Sequence, residues 1–312
     1  SLFNVDRDLL LKATVRLLPV AFISLICGEL FRGIMGIVLG YGFWDGILFL
    51  GVPMTSGGMT AGTVPLSDIY AQVFGQDASV MLTRMAPATV LGNIIAVVYG
   101  GLLNAFGKNR PNITGYGMLV NDGTPVKENP PFKPTFANLC TGLVIALAFY
   151  QFGALLHHFI AIAPTDAWMI MSVIIVKSLA LLPRGLEDAA REWGQFSINT
   201  WTSTALAGIG FTLIDLNTIM KNMTPLYLLA TILIVTVIML VAAGLGRLVG
   251  FYPLESAIAA GLSTTNMGCS GNVAILSSAQ RIELLPFAQI VTRCCGAFML
   301  TVGGILVGII HG

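Results

Sequence analysis

The residues GVPMTSGGMTAGTVPLS (51–67) lie between apolar segments that are long enough to be buried in a membrane. Twelve of these seventeen residues are Gly, Ser, Thr, Ala or Pro, and none is charged. Gly and Pro are the poorest helix formers, so the stretch predicts non-helical backbone at membrane depth. Such backbone is tolerated only where it is buried in protein or lines a watery cavity.

The composition predicts an all-α polytopic membrane protein. Of its 312 residues, 55% are hydrophobic and 10% are charged, with a mean hydropathy of +0.84. A soluble protein carries roughly 25% charged residues. The apolar composition therefore predicts the lipid bilayer as the environment. The net charge of +1 and the lack of a Lys/Arg cluster argue against nucleic acid as a partner. The sequence has no P-loop, HExxH, GxSxG or spaced Cys/His motif, so we expect no enzyme, no organic cofactor and no transition-metal site.

Apolar runs divide the chain into spans and interruptions. Two regions, 43–76 and 251–286, are apolar at one edge and broken by small residues in the middle. The Pro-, Gly- and Asn-rich stretch 107–135 predicts an irregular linker. The segments expected to cross the membrane are 17–40, 85–106, 136–156, 160–182, 201–220, 225–246 and 287–310.

Lys and Arg are concentrated in particular loops, which predicts the topology. They lie before the first span, in the linker 107–135, in the loop before residue 201 and after residue 246. The positive-inside rule is obeyed if these loops are cytoplasmic and the region 43–76 is a re-entrant hairpin that enters and leaves from outside. The second broken region would then enter from the opposite face.

An internal repeat supports this topology. A shift of 209 positions places Gly62 on Gly271 and the pair Thr83-Arg84 on Thr292-Arg293. Five predicted spans separate the two broken regions, and an odd number inverts the second copy. Paired interrupted segments in inverted halves indicate a transporter binding site at mid-membrane. The alternative is that the small residues serve only close helix packing.

Four sequences resemble the signature regions of the bacterial 2-hydroxycarboxylate transporters, the citrate and malate carriers: VPLSDIY (64–70), ESAIAAGL (255–262), NMGCSG (266–271) and AQIVTR (288–293). The resemblance implies inverted repeats with two re-entrant broken-helix hairpins, a homodimer in the bacterial inner membrane, and elevator movement coupled to Na⁺ or H⁺ or driven by exchange. Family members are longer at the N-terminus, so we expect the chain to be a shortened member. The implied domains are the end of the first repeat (1–106), a cytoplasmic linker (107–135), scaffold and dimerisation helices (136–220) and the second-repeat transport segment (221–312).

The same resemblance implies a set of site residues. Those expected to face the substrate are Met59, Thr60, Ser270, Gly271 and Arg293, with Arg293 as the carboxylate-binding arginine. Those expected to bind cations are Met54 and Gly57 through their carbonyls, together with Ser263, Thr264 and Asn266, and Ser270, Asn272 and Thr292 form a second site.

The chain departs from the citrate carriers at three positions. Those carriers have Asn-Gly in place of Met59-Thr60, Arg in place of Met267, and Asp in place of Asn272. Loss of an arginine removes one carboxylate clamp, which favours a smaller acid such as malate over citrate. We hypothesise that Arg84, the repeat mate of Arg293, supplies the second positive charge.

The sequence therefore predicts a secondary transporter of a small 2-hydroxycarboxylate. The alternatives are the membrane subunit of a Na⁺-translocating decarboxylase, and a passive anion channel or scaffold. Among the other intramembrane charges, Glu29 and Arg32 are three residues apart and are expected to pair with each other. Glu255 is expected to cap the helix that begins beside it.

Overall fold

The computed structural model describes residues 7–121, 135–159, 165–179, 181–194, 196–197, 200 and 224–311. Within these ranges all regular structure is helical, apart from an isolated bridge between Val120 and Phe251. The helices are α1 (Arg7–Val38), α2 (Phe43–Asp45), α3 (Val52–Thr55), α4 (Val64–Phe74), α5 (Ala78–Gly107), α6 (Phe136–Phe159), α7 (Thr165–Ser178), α8 (184–194), α9 (Pro225–Leu248), α10 (Pro253–Ser256), α11 (Cys269–Ser278) and α12 (Leu285–His311).

Five of the described helices are long and apolar enough to cross a membrane, which confirms the prediction of an all-α membrane protein. In the predicted span 160–182, helix α7 has 14 residues. The predicted span 201–220 lies outside the described residues. The five long segments are Ala13–Val38, Ala78–Gly107, Phe136–Phe159, Pro225–Leu248 and Ile282–His311.

Both broken regions leave the α-helical path near the predicted small residues. The first has an irregular turn at 56–58 followed by a π-helical turn that leads into α4, and the second has an irregular turn at 265–268 before α11. We call 56–58 the first break and 265–268 the second break. Gly57, Gly58 and Gly268 have φ values of 91°, 107° and 97°, which glycine adopts without a steric cost. The helix cannot continue through such residues.

The described residues form two compact units. One unit contains α6, α7 and α8, and small residues allow its helices to approach closely: a Cβ on Gly142 would lie against the Ala189 carbonyl. The other unit contains residues 15–121 and 224–311, and hence both breaks. In this unit, α5, α9 and α12 surround the broken regions, so the breaks lie among packed helices.

Residues 108–121, the first part of the predicted linker, are anchored on the second broken region; we call them the strap. The Ile113 carbonyl accepts from the Leu254 amide and the Leu119 carbonyl accepts from the Tyr252 amide, both at 3.1 Å. The strap has no helix or extended strand, as its composition predicts, but its backbone is held by hydrogen bonds to the start of the second broken region.

A buried ion pair fixes the strap. Glu255 Oε1 accepts hydrogen bonds from Arg281 Nε at 3.1 Å, from the Thr114 hydroxyl at 2.7 Å and from the Gly117 amide at 3.3 Å. We expected Glu255 to cap its own helix, and the carboxylate instead bonds to the strap and to Arg281. The Leu254 amide at the start of this helix already donates to the Ile113 carbonyl, and a buried guanidinium without a carboxylate is costly, so the carboxylate pairs with Arg281 instead.

We expect Glu255→Gln to lower the thermal stability of the detergent-solubilised chain strongly. Removal of one partner of a buried ion pair typically costs about 3–5 kcal/mol. Asp188→Asn is the control, because it breaks the solvent-accessible Arg191–Asp188 pair, whose atoms lie 3.1 Å apart. Such a pair contributes about 0–1 kcal/mol. Similar unfolding midpoints for the two variants would contradict a stabilising role of the Glu255 pair.

Candidate functional site

The two breaks touch through their backbones. A Cβ atom on Gly58 would lie against the Met267 carbonyl and the Gly268 amide, and a Cβ on Gly268 would be 3.1 Å from the Gly57 carbonyl oxygen. Both breaks are buried. Peptide groups from two unwound segments therefore converge in one place.

Helix α12 lies directly against the first break. A Cβ on Gly57 would be 3.2 Å from Gly296 Cα, and a Cβ on Gly296 would lie against the backbone of Ser56 and Gly57. Arg293 is one turn before Gly296, on the same side of the helix. Its side chain is buried, with a relative exposure of 8%. Close backbone packing thus brings the predicted carboxylate-binding arginine to the region of the breaks.

A side-chain network supports the second break. The Thr292 hydroxyl donates to the Ser263 carbonyl at 2.6 Å and accepts from Asn272 Nδ2 at 2.8 Å. Asn266 donates through Nδ2 to the Ser263 carbonyl and to Asn272 Oδ1, and its Oδ1 accepts from the Gly268 amide at 2.6 Å. The network gathers several oxygen atoms next to the unwound backbone.

A corresponding network supports the first break. The Pro53 carbonyl accepts from the hydroxyls of Ser56, Thr63 and Thr89 at 3.1, 3.2 and 3.0 Å. Thr63 and Thr89 also bond to each other at 2.9 Å. In both networks a threonine of the following long helix bonds to a carbonyl before the break and to a polar side chain after it.

By these contacts Thr89 is the structural equivalent of Thr292. The sequence repeat instead matched Thr292 with Thr83, which is exposed and donates to the Ser79 carbonyl at 2.8 Å. The next residue, Arg84, has its guanidinium carbon 3.5 Å from the centroid of the Phe49 ring and Nη2 3.9 Å from Asp45 Oδ2. The TR match in the sequence therefore does not mark equivalent contacts.

The predicted substrate positions fall around the breaks, with Arg84 apart from them. Ser270 and Gly271 begin α11, and Met59 packs against an apolar cluster that includes Met267 and Tyr227. Thr60 lies in the π-helical turn, and its side chain is outside the described residues.

The predicted cation positions divide into two groups. Ser263, Asn266, Asn272 and Thr292 share the hydrogen-bond network of the second break. The Thr264 hydroxyl donates to the nearby Gly261 carbonyl at 2.7 Å, and the partly buried Ser270 makes no bond to that network within the described residues. In the first broken region the Gly57 carbonyl faces Gly268, while the Met54 sulfur lies 3.5 Å from Arg32 Nη2.

The predicted Glu29–Arg32 pair is confirmed, and it also contacts the first broken region. Glu29 Oε1 accepts from the Thr55 hydroxyl at 2.9 Å, immediately before the first break. Arg32 is fully buried. The pair therefore ties α1 to the last turn of α3, a contact that the spacing of two charges on one helix did not reveal.

Sequence reasoning missed Asn93 and Thr89 on α5. Asn93 Oδ1 accepts from the Met267 amide at 3.2 Å, so α5 reaches across to the second break. The available signal was a polar amide within the predicted span 85–106. Its partner lies 174 residues away along the chain, which no local pattern identifies.

Comparisons with known proteins agree with the family resemblance. The profile of the 2-hydroxycarboxylate transporter family matches residues 1–305. The citrate transporter CitP of Leuconostoc mesenteroides subsp. mesenteroides is 37% identical, over 98% of this chain and 70% of that protein. The malate transporter MleP of Lactococcus lactis subsp. lactis is also 37% identical, over 98% and 72%. The Na⁺-malate symporter of Bacillus subtilis is 33% identical, over 95% and 67%.

We expect Gly296→Ala to destabilise the chain by about 1–3 kcal/mol, because the added methyl group would separate α12 from the first break. Gly308→Ala on the same helix is the control, since nothing lies within 4 Å of its Cβ position. Alanine there should stabilise the helix by up to about 1 kcal/mol. Thermal unfolding of both variants measures the difference, and equal shifts would argue against the close contact.

Proposed function

Because the chain belongs to the 2-hydroxycarboxylate transporter family, we propose that it carries a small 2-hydroxydicarboxylate such as malate by alternating access of the site at the two breaks. The family and its named relatives are transporters, so the chain is a transporter and not an enzyme. It is a multi-pass protein of the bacterial inner membrane.

The observation that carries the proposal is the backbone contact of the two breaks. Amide groups at the start of a helix attract anions, and carbonyls released from a helix bind cations. An anion and a coupling ion can therefore share a site at which two unwound segments meet. The polar networks beside the breaks hold this backbone in place without filling the site with charge.

For the anion we propose Arg293 as the main carboxylate-binding group, with Ser270, Gly271, Met59 and Thr60 around the solute. Arg293 is buried, so its interaction with a carboxylate is poorly screened by water. Arg84 is retained as a second and weaker positive group. It is 45% exposed and lies about 13 Å along α5 from Asn93, at 1.5 Å rise per residue.

The apolar cluster supports a small dianion in preference to citrate. Met267 belongs to this cluster and Met59 packs against it. These two methionines stand where the resemblance to the citrate carriers leads us to expect Arg and Asn. Met267 offers no positive charge to a third carboxylate, and a buried carboxylate without such a charge is costly.

For the coupling ion we propose Na⁺, with H⁺ as the alternative, since named relatives include both a Na⁺-malate symporter and a citrate/malate-proton symporter. The proposed positions are Ser263, Thr264, Asn266, Ser270, Asn272 and Thr292 at the second break, and the Met54 and Gly57 carbonyls at the first. Their neutral oxygens suit a hard cation.

For the movement we propose inverted repeats, re-entrant hairpins and an elevator in a homodimer, with 136–220 as scaffold and 107–135 as cytoplasmic linker. The support is that both breaks belong to one compact unit, while α6, α7 and α8 belong to the other. The two similar break networks support a structural repeat. In such a mechanism the unit with the breaks carries the solute.

Counterflow in proteoliposomes tests the proposed function. External labelled malate should accumulate when unlabelled malate is inside, because only an alternating site exchanges one molecule for another. A passive channel would let the label equilibrate without accumulation. A decarboxylase subunit would bind no malate by itself, so thermal stabilisation by malate separates that alternative.

We expect Arg293→Ala to lower malate affinity by at least tenfold, because a buried carboxylate loses its bidentate partner. Arg293→Lys should restore only part of the affinity, since lysine binds as a point charge. Arg84→Ala should lower the affinity only about two- to threefold, because exposed charges are screened. Isothermal titration calorimetry measures the malate affinity of the three variants. An unchanged malate affinity in Arg84→Ala would remove Arg84 from the site.

We expect Na⁺ to raise the unfolding midpoint of the wild-type chain and of Thr301→Val, but not that of Thr292→Val. Both valines replace a threonine of α12 with similar volume, and only Thr292 contacts the second break. K⁺ at equal ionic strength controls for screening. A Na⁺ response that persists in Thr292→Val would place the coupling ion elsewhere.

A further inference from the structure

Asn93 joins helix α5 to two parts of the candidate site. Its Oδ1 accepts a hydrogen bond from the Met267 amide of the second break at 3.2 Å. A Cβ built on Gly271 would lie against the same oxygen atom. Asn93 is therefore next to both the second break and the beginning of α11, where the predicted substrate positions Ser270 and Gly271 lie.

The hydrogen bond to Met267 fixes the orientation of the Asn93 amide. A backbone N–H can only donate, so the atom that faces Met267 must be the oxygen. The nitrogen Nδ2 then points away from Met267 with two N–H groups. Among the described residues none accepts from Nδ2, and Asn93 is only partly buried. A polar donor beside the breaks is thus left available.

We propose that Asn93 contacts the substrate, and that its Nδ2 donates a hydrogen bond to an oxygen atom of the bound 2-hydroxycarboxylate. This inference rests on the proposed function. The residue is neutral, so it adds directional recognition without another buried charge. A site that donates to a particular substrate oxygen discriminates against analogues that lack it.

Asn93→Asp tests the donor separately from the contact with Met267. The carboxylate keeps an oxygen for the Met267 amide and replaces the Nδ2 donor with a negative charge. We expect at least a tenfold loss of malate affinity by titration calorimetry, and a similar loss for Asn93→Ala. Succinate, which lacks the hydroxyl group, identifies the oxygen in Asn93→Ala, which adds no charge: a loss for malate alone indicates the hydroxyl, and a loss for both indicates a carboxylate.

Ser278→Ala is the matched control. Ser278 also joins the second broken region to α5, through a 2.8 Å bond to the Val97 carbonyl. It lies at the end of α11, away from the breaks, so malate affinity should stay within twofold. A tenfold loss in this control would overturn the proposal, because general loosening of α5 would then explain the effect.

Retention of malate affinity within threefold in Asn93→Asp would also overturn the proposal and leave Asn93 as a support of the Met267 backbone. Unfolding midpoints without ligand establish that each variant is folded, and Asn93→Ser replaces any variant that is not. If the wild-type chain binds neither malate nor succinate, the proposed function itself fails, which is a distinct result from a loss confined to the Asn93 variants.

Discussion

Two stretches of backbone leave the helix inside one unit of this protein, and their peptide groups must find partners there, because unpaired buried N–H and C=O groups are costly. The Pro53 carbonyl accepts from three hydroxyl groups, and the Ser263 carbonyl accepts from Thr292 and Asn266. Helices α5 and α12 each supply the threonine that completes the network next to it.

Glycine makes close contact between the two breaks possible. Gly58, Gly268 and Gly296 each lie where a methyl group would meet backbone. The contact brings peptide groups of both breaks close together, which larger side chains would prevent. The two networks differ in composition: hydroxyl groups dominate the first and amide side chains dominate the second.

The positions of the long spans and of both breaks could be predicted, because length, hydropathy and small-residue content act locally. The Glu29–Arg32 pair could be predicted from helical spacing for the same reason. Glu255 was assigned to its own helix because Arg281 is 26 residues away, and only folding reveals that neighbour. The shared Thr-Arg pair suggested the wrong equivalence between the two halves, because Thr83 and Thr292 make different contacts.

By itself the sequence determined that this is a helical membrane protein, where its helices are interrupted and to which family it belongs. Hydrophobic length, poor helix formers and specific motifs are properties of short segments, so they can be recognised in the sequence without any knowledge of packing. Only the tertiary structure decided that Thr89 matches Thr292, that the strap is anchored by Glu255 and Arg281, and that Asn93 reaches the second break. These depend on which helices lie side by side, and that is set by the simultaneous burial of apolar surface and pairing of polar groups across the whole unit.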